Sequence, residues 1–441
     1  MKASRYTSVY ALESSDKEKL IFNARTLALA LIENDKLDSY NAFCANGTPI
    51  QDEKLLSDLK TGGFLLEDDV DEEAIIRHEQ LSARYNTNQR SLVLAPTSNC
   101  NFRCVYCYER PVLRSSKMDE ETQEAIVNYV KSVATHLDQL FITWYGGEPL
   151  LALDVIEALS KQFINICEEY HINYGASIVT NGYLLNRDVV KKLNELRVHR
   201  YQITLDGKKE IHDVNRPLAN GGGTFDVITK NLIDVKDIIP SVSLRINTGK
   251  HNVNDVQDIY KWVSENGLEE KVSPYLGKIT SSGNDDPTTS MCLTTDEFVL
   301  ARINLVKQGI DTAAGTFTFY PNPVRCYCGA DNNSVYVIDS DGSLYKCWDD
   351  IGHKDLAVGN IKEGLNYSPT FFAYMQYSAL DDDDCKNCPA LPLCMGGCPH
   401  RRLFKLPDRC SEFKDHLKEF LLITAERILE QRRQQEHDVA Q

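Results

Sequence analysis

The feature that most narrows the fold is an alternation that begins near residue 91. Six β-prone runs occur: SLVLAP (91–96), LFITWYGG (140–147), ASIVTNG (176–182), HRYQITLDG (199–207), SVSLRINT (241–248) and KVSPYLGK (271–278). Amphipathic segments separate them, over 120–134, 152–170, 187–196, 224–235 and 253–266. Six β–α units predict a parallel sheet with right-handed crossovers. Six is too few for a closed eight-stranded barrel. The expectation is an α/β fold with a curved, partly open sheet whose active face lies at the C-terminal strand ends.

The flanks read differently. Residues 1–90 contain no clustered chemistry. Apolar Leu20, Ile21, Ala24, Leu27, Ala28 and Ile32 predict a helix over 18–33. Further helices are expected over 52–59 and 71–85, with a turn at Gly62-Gly63 and an extended run at 64–66. This is a small α+β accessory domain. TSSGNDDPTTS (280–290) reads as a loop or linker, and a helix follows over 295–308. Two β-prone runs flank Asp341-Gly342 and predict a hairpin over 334–347. A last helix spans 411–431 and ends in a polar tail. The expected domains are 1–90, 91–310, a Cys-rich 311–420, and a helix end with tail over 421–441. No internal repeat of the solenoid kind is present.

Acids outnumber bases 64 to 48, a net charge of −16 that argues against a nucleic-acid surface. No run approaches the roughly 20 apolar residues of a membrane span, so no membrane partner is expected. The N-terminal stretch lacks an apolar signal core, and a cytoplasmic location follows as an expectation. Fourteen cysteines are then the anomaly, because disulfides rarely persist in that compartment. Only Cys44, Cys167 and Cys292 stand alone, and they read as small buried hydrophobes.

Cys100, Cys104 and Cys107 form C-x3-C-x2-C directly after the first strand of the alternation. With cysteine at about 3% of the chain, such a coincidence has a chance on the order of one in a thousand. Three thiolates on a four-iron cube leave one iron open to a small molecule. Structural zinc wants four ligands, and no histidine stands nearby at ligand spacing. CNFRCVYC resembles the signature of the radical S-adenosylmethionine (SAM) superfamily, with Tyr106 as its aromatic residue. Gly146-Gly147-Glu148-Pro149, after the second strand, is similar to that superfamily's GGEP motif.

The resemblance implies a TIM-like partial (β/α)6 barrel and an open iron that binds the amino and carboxylate groups of SAM. GGEP and Glu148 would hold the methionyl amino group. Glycines admit close backbone approach, and a carboxylate accepts from an ammonium. In relatives, polar residues at further strand ends touch SAM or substrate. Asn181, Thr204, Asp206, Arg216 and Arg245 stand at such places, although Asn-Gly and Asp-Gly also make ordinary turns.

The remaining cysteines read Cys326-x-Cys328, Cys347, then Cys385-x2-Cys388-x5-Cys394-x3-Cys398-x11-Cys410. This closely resembles the SPASM extension of peptide-modifying radical SAM enzymes, which carries two auxiliary 4Fe–4S clusters. Carried over by position, Cys328, Cys347 and Cys398 would bind the first, and Cys385, Cys388, Cys394 and Cys410 the second. Cys326 either completes the first cluster or leaves it an open iron; the fourth-ligand reading is favoured. A pair of zinc ribbons is the structural alternative. The DDDD run at 381–384 reads as a solvated loop.

Three 4Fe–4S clusters with SAM imply a 5′-deoxyadenosyl radical that removes hydrogen from substrate, with auxiliary clusters as electron sink or source. The leading expectation is a maturase that installs a carbon–carbon or thioether cross-link in a ribosomally made precursor peptide. Its partners would be that peptide with its leader segment, and a flavodoxin- or ferredoxin-type electron donor. Residues 1–90 resemble a small winged-helix leader-binding domain in size and position, or else form a cap on the barrel. The alternative is an anaerobic sulfatase maturase, which makes formylglycine. Those enzymes place an Asp directly after the cysteine equivalent to Cys347. Here Trp348 intervenes, and Asp349 is the candidate base. From another class, a non-catalytic iron–sulfur peptide-binding or electron-transfer protein would leave the open-site motif and GGEP without purpose.

Overall fold

The computed structural model describes residues 1–12, 15–281, 286–310 and 320–440, the last ten of these by backbone only. The chain forms two compact units: Met1–Arg84 with Thr318–Cys328 and Tyr377–Gln441, and Tyr85–Phe317 with Gly329–Gln376.

The first unit opens with β1 (Lys2–Ala3), β2 (Thr7–Leu12), β3 (Ser15–Asn23), β4 (Leu29–Glu33), α1 (Asn34–Asn46), α2 (Glu53–Thr61), β5 (Leu65–Leu66) and α3 (Glu72–Arg84). β2, β3 and β4 make an antiparallel sheet in that order, and β1 pairs with β5. The helix expected over 18–33 is instead the β3–β4 hairpin. Leu20 and Phe22 face one apolar cluster, and Ile21 with Ile32 faces another. A run buried on both faces carries no polar stripe, so its apparent 3.6 period was incidental. Asn23 closes the turn, its side-chain oxygen accepting from the N–H groups of Arg25 and Thr26 at 2.9 and 3.0 Å. α2 and α3 match expectation, α2 with Asp52 accepting from Leu55 N. Cys44, expected as buried, is exposed on α1; Cys167 is buried and Cys292 half-buried.

The second unit carries β6 (Gln89–Leu94), α4 (Glu120–Val133), β7 (Gln139–Trp144), α5 (Leu153–Glu169), β8 (Asn173–Val179), α6 (Arg187–Glu195), β9 (Val198–Thr204), α7 (Lys209–Asn215), α8 (Phe225–Val235), β10 (Val242–Thr248), α9 (Gln257–Glu265), β11 (Val272–Lys278) and α10 (Thr295–Lys307). β12 (Val335–Ile338), β13 (Ser343–Tyr345), β14 (Gly359–Asn360), β15 (Gly364–Leu365) and α11 (Pro369–Met375) follow. β6 to β11 pair in sequential order, all parallel, as the alternation predicts. This is the partial (β/α)6 barrel. Leu92, Leu94, Ile142, Trp144, Ile178, Ile203 and Ile246 are buried in its core, with the inward faces of α4 and α5 packed in the same cluster. The strands need apolar residues on both faces because helices cover a parallel sheet.

The expected hairpin is β12–β13, turned at Gly342 with φ 85°. It does not stand apart from the barrel. β12 runs parallel to β6, from Val335 opposite Ser91 to Ile338 opposite Leu94. Of the Cys-rich stretch expected as one block, residues 329–376 therefore belong to the second unit. The rest returns to the first unit as α12 (Leu391–Cys394), α13 (Pro399–Leu403) and α14 (Phe413–Ala440). α14 departs from helical geometry at His416 and continues through the expected tail. Of the 280–290 loop, 282–285 lie outside the described residues; the rest includes a short 3-10 turn at Pro287–Met291. Among the described residues no helix is long and apolar enough to cross a membrane.

Candidate active site

The strand ends of β6 to β10 converge on the loop that bears the first three cysteines. Backbone bonds pin that loop to the segment after α7. Arg103 N and Val105 N donate to Pro217 O and Asn215 O, each at 2.9 Å, and Ala219 N donates to Asn101 O at 2.8 Å. Burial pushes the Cys100 and Cys107 thiols up to about 12 and raises Cys104 as well. Cys100 and Cys107 are each raised further by the charge of Cys104. Cys100, Cys104 and Cys107 are half-buried on one loop, and three thiolates are soft donors of the kind that ligate iron–sulfur clusters. The trio therefore fits an iron–sulfur cluster. When bound, such a cluster supplies the electron for reductive cleavage of SAM.

The GGEP segment is locked to the same loop. Gly147 N and Glu148 N donate to Thr97 O and Asn99 O at 3.3 and 2.8 Å. Gly146 has φ 95°, and a Cβ there would lie 2.7 Å from Thr97 O. The glycines thus admit the backbone that leads into Cys100. Glu148 is 1% exposed. Its carboxylate accepts from Leu150 N (3.0 Å), Thr180 Oγ1 (2.7 Å) and Asn181 N (2.8 Å), joining the end of β7 to the end of β8. Burial raises its pKa and these bonds oppose the rise. Pro149 begins a 3-10 turn after it. Asn181 donates to Asn101 Oδ1 at 2.8 Å, back to the cysteine loop.

Thr204, Asp206 and Arg216 are buried at the same end of the barrel. Tyr106 donates to Asp206 Oδ2 at 2.5 Å and accepts from Arg216 Nη1 and Asn247 Nδ2, each at 2.9 Å. Arg245 stands one step farther out and donates from Nε to Asn247 Oδ1 at 2.6 Å. Asp349 lies in the 3-10 turn Trp348–Asp350, where its charge acts on Tyr108, Tyr145 and Glu109. Trp348, 46% exposed, stacks on Tyr145 with centroids 5.3 Å apart. Asp350 is buried and accepts from Tyr374 Oη at 2.9 Å, a structural role.

Sequence reading missed several groups in this region. Burial and then the Asp339 charge push the Glu109 carboxyl up to about 7. Tyr108 and Tyr145 meet through their hydroxyls. Position beside Cys107 and Gly146 was the only signal for these three. His212 is also buried; Nδ1 accepts from Asp206 N at 3.2 Å and Nε2 meets Thr224 Oγ1 at 3.0 Å. That hydroxyl donates to Arg216 O, so Nε2 carries the proton of a neutral ring. Burial, then the Arg216 charge, lowers His212 to about 3. The unfolded chain binds this proton near pH 6.5 and the folded chain does not. Stability is therefore full above about pH 6.5 and falls as pH drops, by at most about 1.4 kcal/mol per unit from this group. Denaturant melts at decreasing pH should show that slope reduced in His212→Gln.

In the first unit, Cys385, Cys388, Cys394 and Cys410 gather. Burial pushes Cys394 up to about 11, and the charges of Cys410, Cys385 and Cys388 add to it. Ser411 N donates to Cys394 Sγ at 3.3 Å. Cys328 and Cys398 both act on the half-buried Tyr327. Cys326 Sγ points to Gln80 O at 3.9 Å. Cys347 belongs to the second unit, two residues after the end of β13. Asp381, Asp383 and Asp384 are exposed, as expected of a solvated loop, and the run also forms ion pairs. Asp381 pairs with Arg77 at 2.7 Å, while Asp382 and Asp384 pair with Arg409 at 3.3 and 3.1 Å, next to Cys410.

A model of the radical SAM superfamily matches residues 94–263. A cysteine-type anaerobic sulfatase-maturating enzyme of Clostridium novyi is 28% identical over 359 residues, covering 74% of this chain and 93% of the relative. The solved structure of anSMEcpe with bound AdoMet and the Cp18Cys peptide superposes with a TM-score of 0.60 at 21% identity, covering 78% of this chain and 98% of that one. Streptococcus suis SuiB bound to precursor peptide SuiA superposes with a TM-score of 0.52 at 14% identity, covering 93% and 99%. These structural likenesses speak to the fold. With the matched model, the cysteine loop and GGEP in one barrel, residues 94–263 are a radical SAM domain and the chain is an enzyme.

Proposed function

We propose that the chain oxidises one side chain of a peptide or protein, in the manner of cysteine-type sulfatase maturation, converting cysteine to formylglycine. The observation that carries this reading is the similarity along 93% of the sulfatase-maturating relative, which takes in far more than the SAM-binding core. Cys100, Cys104 and Cys107 would hold the radical-generating cluster. Glu148, Asn181, Asp206 and Arg216 would border SAM, and Cys385, Cys388, Cys394 and Cys410 an auxiliary cluster. Substrate would lie near Trp348 and Tyr145. One hydrogen atom would go to the deoxyadenosyl radical, one electron to the auxiliary cluster and one proton to Asp349, leaving a thioaldehyde that water would convert to the aldehyde with release of hydrogen sulfide. Asp349→Asn should lower product formation at least tenfold while 5′-deoxyadenosine still forms, uncoupled from product.

Two observations favour a cross-link as the second reading. Trp348 occupies the place after Cys347, and SuiB, whose fold this chain shares over 93% of its length, was solved with a bound precursor peptide. The first unit also offers β2 and β4, each paired on one side only within their sheet, for strand addition by a leader. Anaerobic incubation with SAM, dithionite and a cysteine-containing peptide separates the two. Formylglycine formation removes sulfur and two hydrogens and adds one oxygen. A cross-link removes two hydrogens and keeps the sulfur. A product that retains its sulfur would overturn the maturase reading. On the leader-binding reading, a substrate peptide shortened at its leader loses affinity and keeps its saturated rate.

A further inference from the structure

We propose that the hydroxyl of Tyr106 is a positioning group that sets the SAM-facing atoms of Asp206 and Arg216 relative to the cysteine loop. The inference rests on the reading that Asp206 and Arg216 border SAM. An aromatic ring alone would satisfy packing at this place; the hydroxyl does something else. A phenol has one proton to donate and two lone pairs. All three are used, toward Asp206 Oδ2, Arg216 Nη1 and Asn247 Nδ2. The partners come from the end of β9, the residue after α7, and β10. One oxygen therefore joins three elements to the loop between Cys104 and Cys107.

What the hub leaves over is as informative as what it binds. Asp206 is 0% exposed and Arg216 is 7% exposed. Yet Asp206 Oδ1 and Arg216 Nε have no hydrogen-bond partner among the described residues, and neither does His251 Nδ1. Buried polar atoms left without partners are costly unless a ligand completes them. The second carboxylate oxygen and Nη1 are held by Tyr106, which decides which atoms stay available. His251 joins the same group, its Nε2 2.8 Å from Asn215 Nδ2, and Asn215 Nδ2 lies 3.5 Å from Asp206 Oδ2. Asn252 fixes the backbone beneath, donating to Asp206 O at 2.5 Å and Asn247 O at 2.9 Å.

Tyr106→Phe keeps the ring and removes only the hub. The test uses the full chain with its iron–sulfur centres reconstituted anaerobically. Its readouts are iron content, SAM affinity, and the change that SAM causes in the electron paramagnetic resonance spectrum of the reduced protein. The expected result is unchanged iron, SAM affinity weaker by roughly tenfold, and a diminished spectral change. Asp206→Asn should give a similar loss, and the double variant should lose less than the sum, because both act through one network. Unchanged affinity and spectrum in Tyr106→Phe would overturn the proposal. So would loss of iron in that variant, since the hydroxyl would then hold the loop and not the SAM-facing atoms. Should Asp206→Asn and Arg216→Gln both bind SAM like the wild type, the underlying site reading fails instead.

Discussion

Gly147→Ala is expected to reduce SAM cleavage by about a hundredfold or more, the scale of loss that a displacement near 1 Å produces at a reacting centre. A Cβ at this position would come within 2.6 Å of the Asn99 carbonyl carbon and would overlap its oxygen. Both are backbone atoms, so no flexible side chain can turn aside. Asn99 directly precedes Cys100 and is also the acceptor for Glu148 N at 2.8 Å. The added methyl must push the cysteine loop away from the end of β7 or break that bond. Gly47→Ala is the control. Gly47 has φ 74° and open space around its Cβ position, so it carries only the backbone penalty of about 1 kcal/mol. Quantifying 5′-deoxyadenosine from both variants checks the contrast. Near-normal cleavage by Gly147→Ala would show that the loop tolerates displacement and would leave the paired glycines without a steric reason.

Replacing Cys100, Cys104 and Cys107 together with alanine is expected to bring 5′-deoxyadenosine to background and to remove about four irons per chain, one cube. The fold should survive. The loop is held by backbone bonds to Asn215 and Pro217 and from Ala219, none of which uses a thiol. Replacing three half-buried thiols by methyl groups also imposes no new desolvation. The iron proposed at Cys385, Cys388, Cys394 and Cys410 should remain, because that quartet lies in the other unit. Conversion of substrate by the triple variant would sink the radical mechanism, and with it the choice between formylglycine and cross-link.

Much of the barrel was legible because its signals are local. Each strand from β6 to β11 falls within its expected run or within three residues of it, and α4 and α6 begin where polar caps meet an apolar period. Asp119 shows the principle, its side chain accepting from Thr122 N. The 18–33 segment misled for the opposite reason. Leu20, Ile21 and Phe22 are all buried, toward two different clusters, and a pattern apolar on both faces has no period to read. Cys44 failed as a buried residue because cysteine carries no periodic signal when it stands alone.

The cysteine spacings, the GGEP segment and the parallel alternation were legible along the chain, because these depend on local spacing and on side-chain chemistry. What those residues touch depends on the fold. Gly147 reads in sequence as room for a ligand, and the fold places the Asn99 backbone there. Glu148 reads as an acceptor for an ammonium, and the fold gives its oxygens to Leu150, Thr180 and Asn181. Tyr106 reads as an aromatic in a motif, and the fold makes its hydroxyl the meeting point of residues 100, 110 and 141 positions away. Hydrogen bonds between strand ends depend on which ends the sheet brings together, and no local pattern along the chain records that distance.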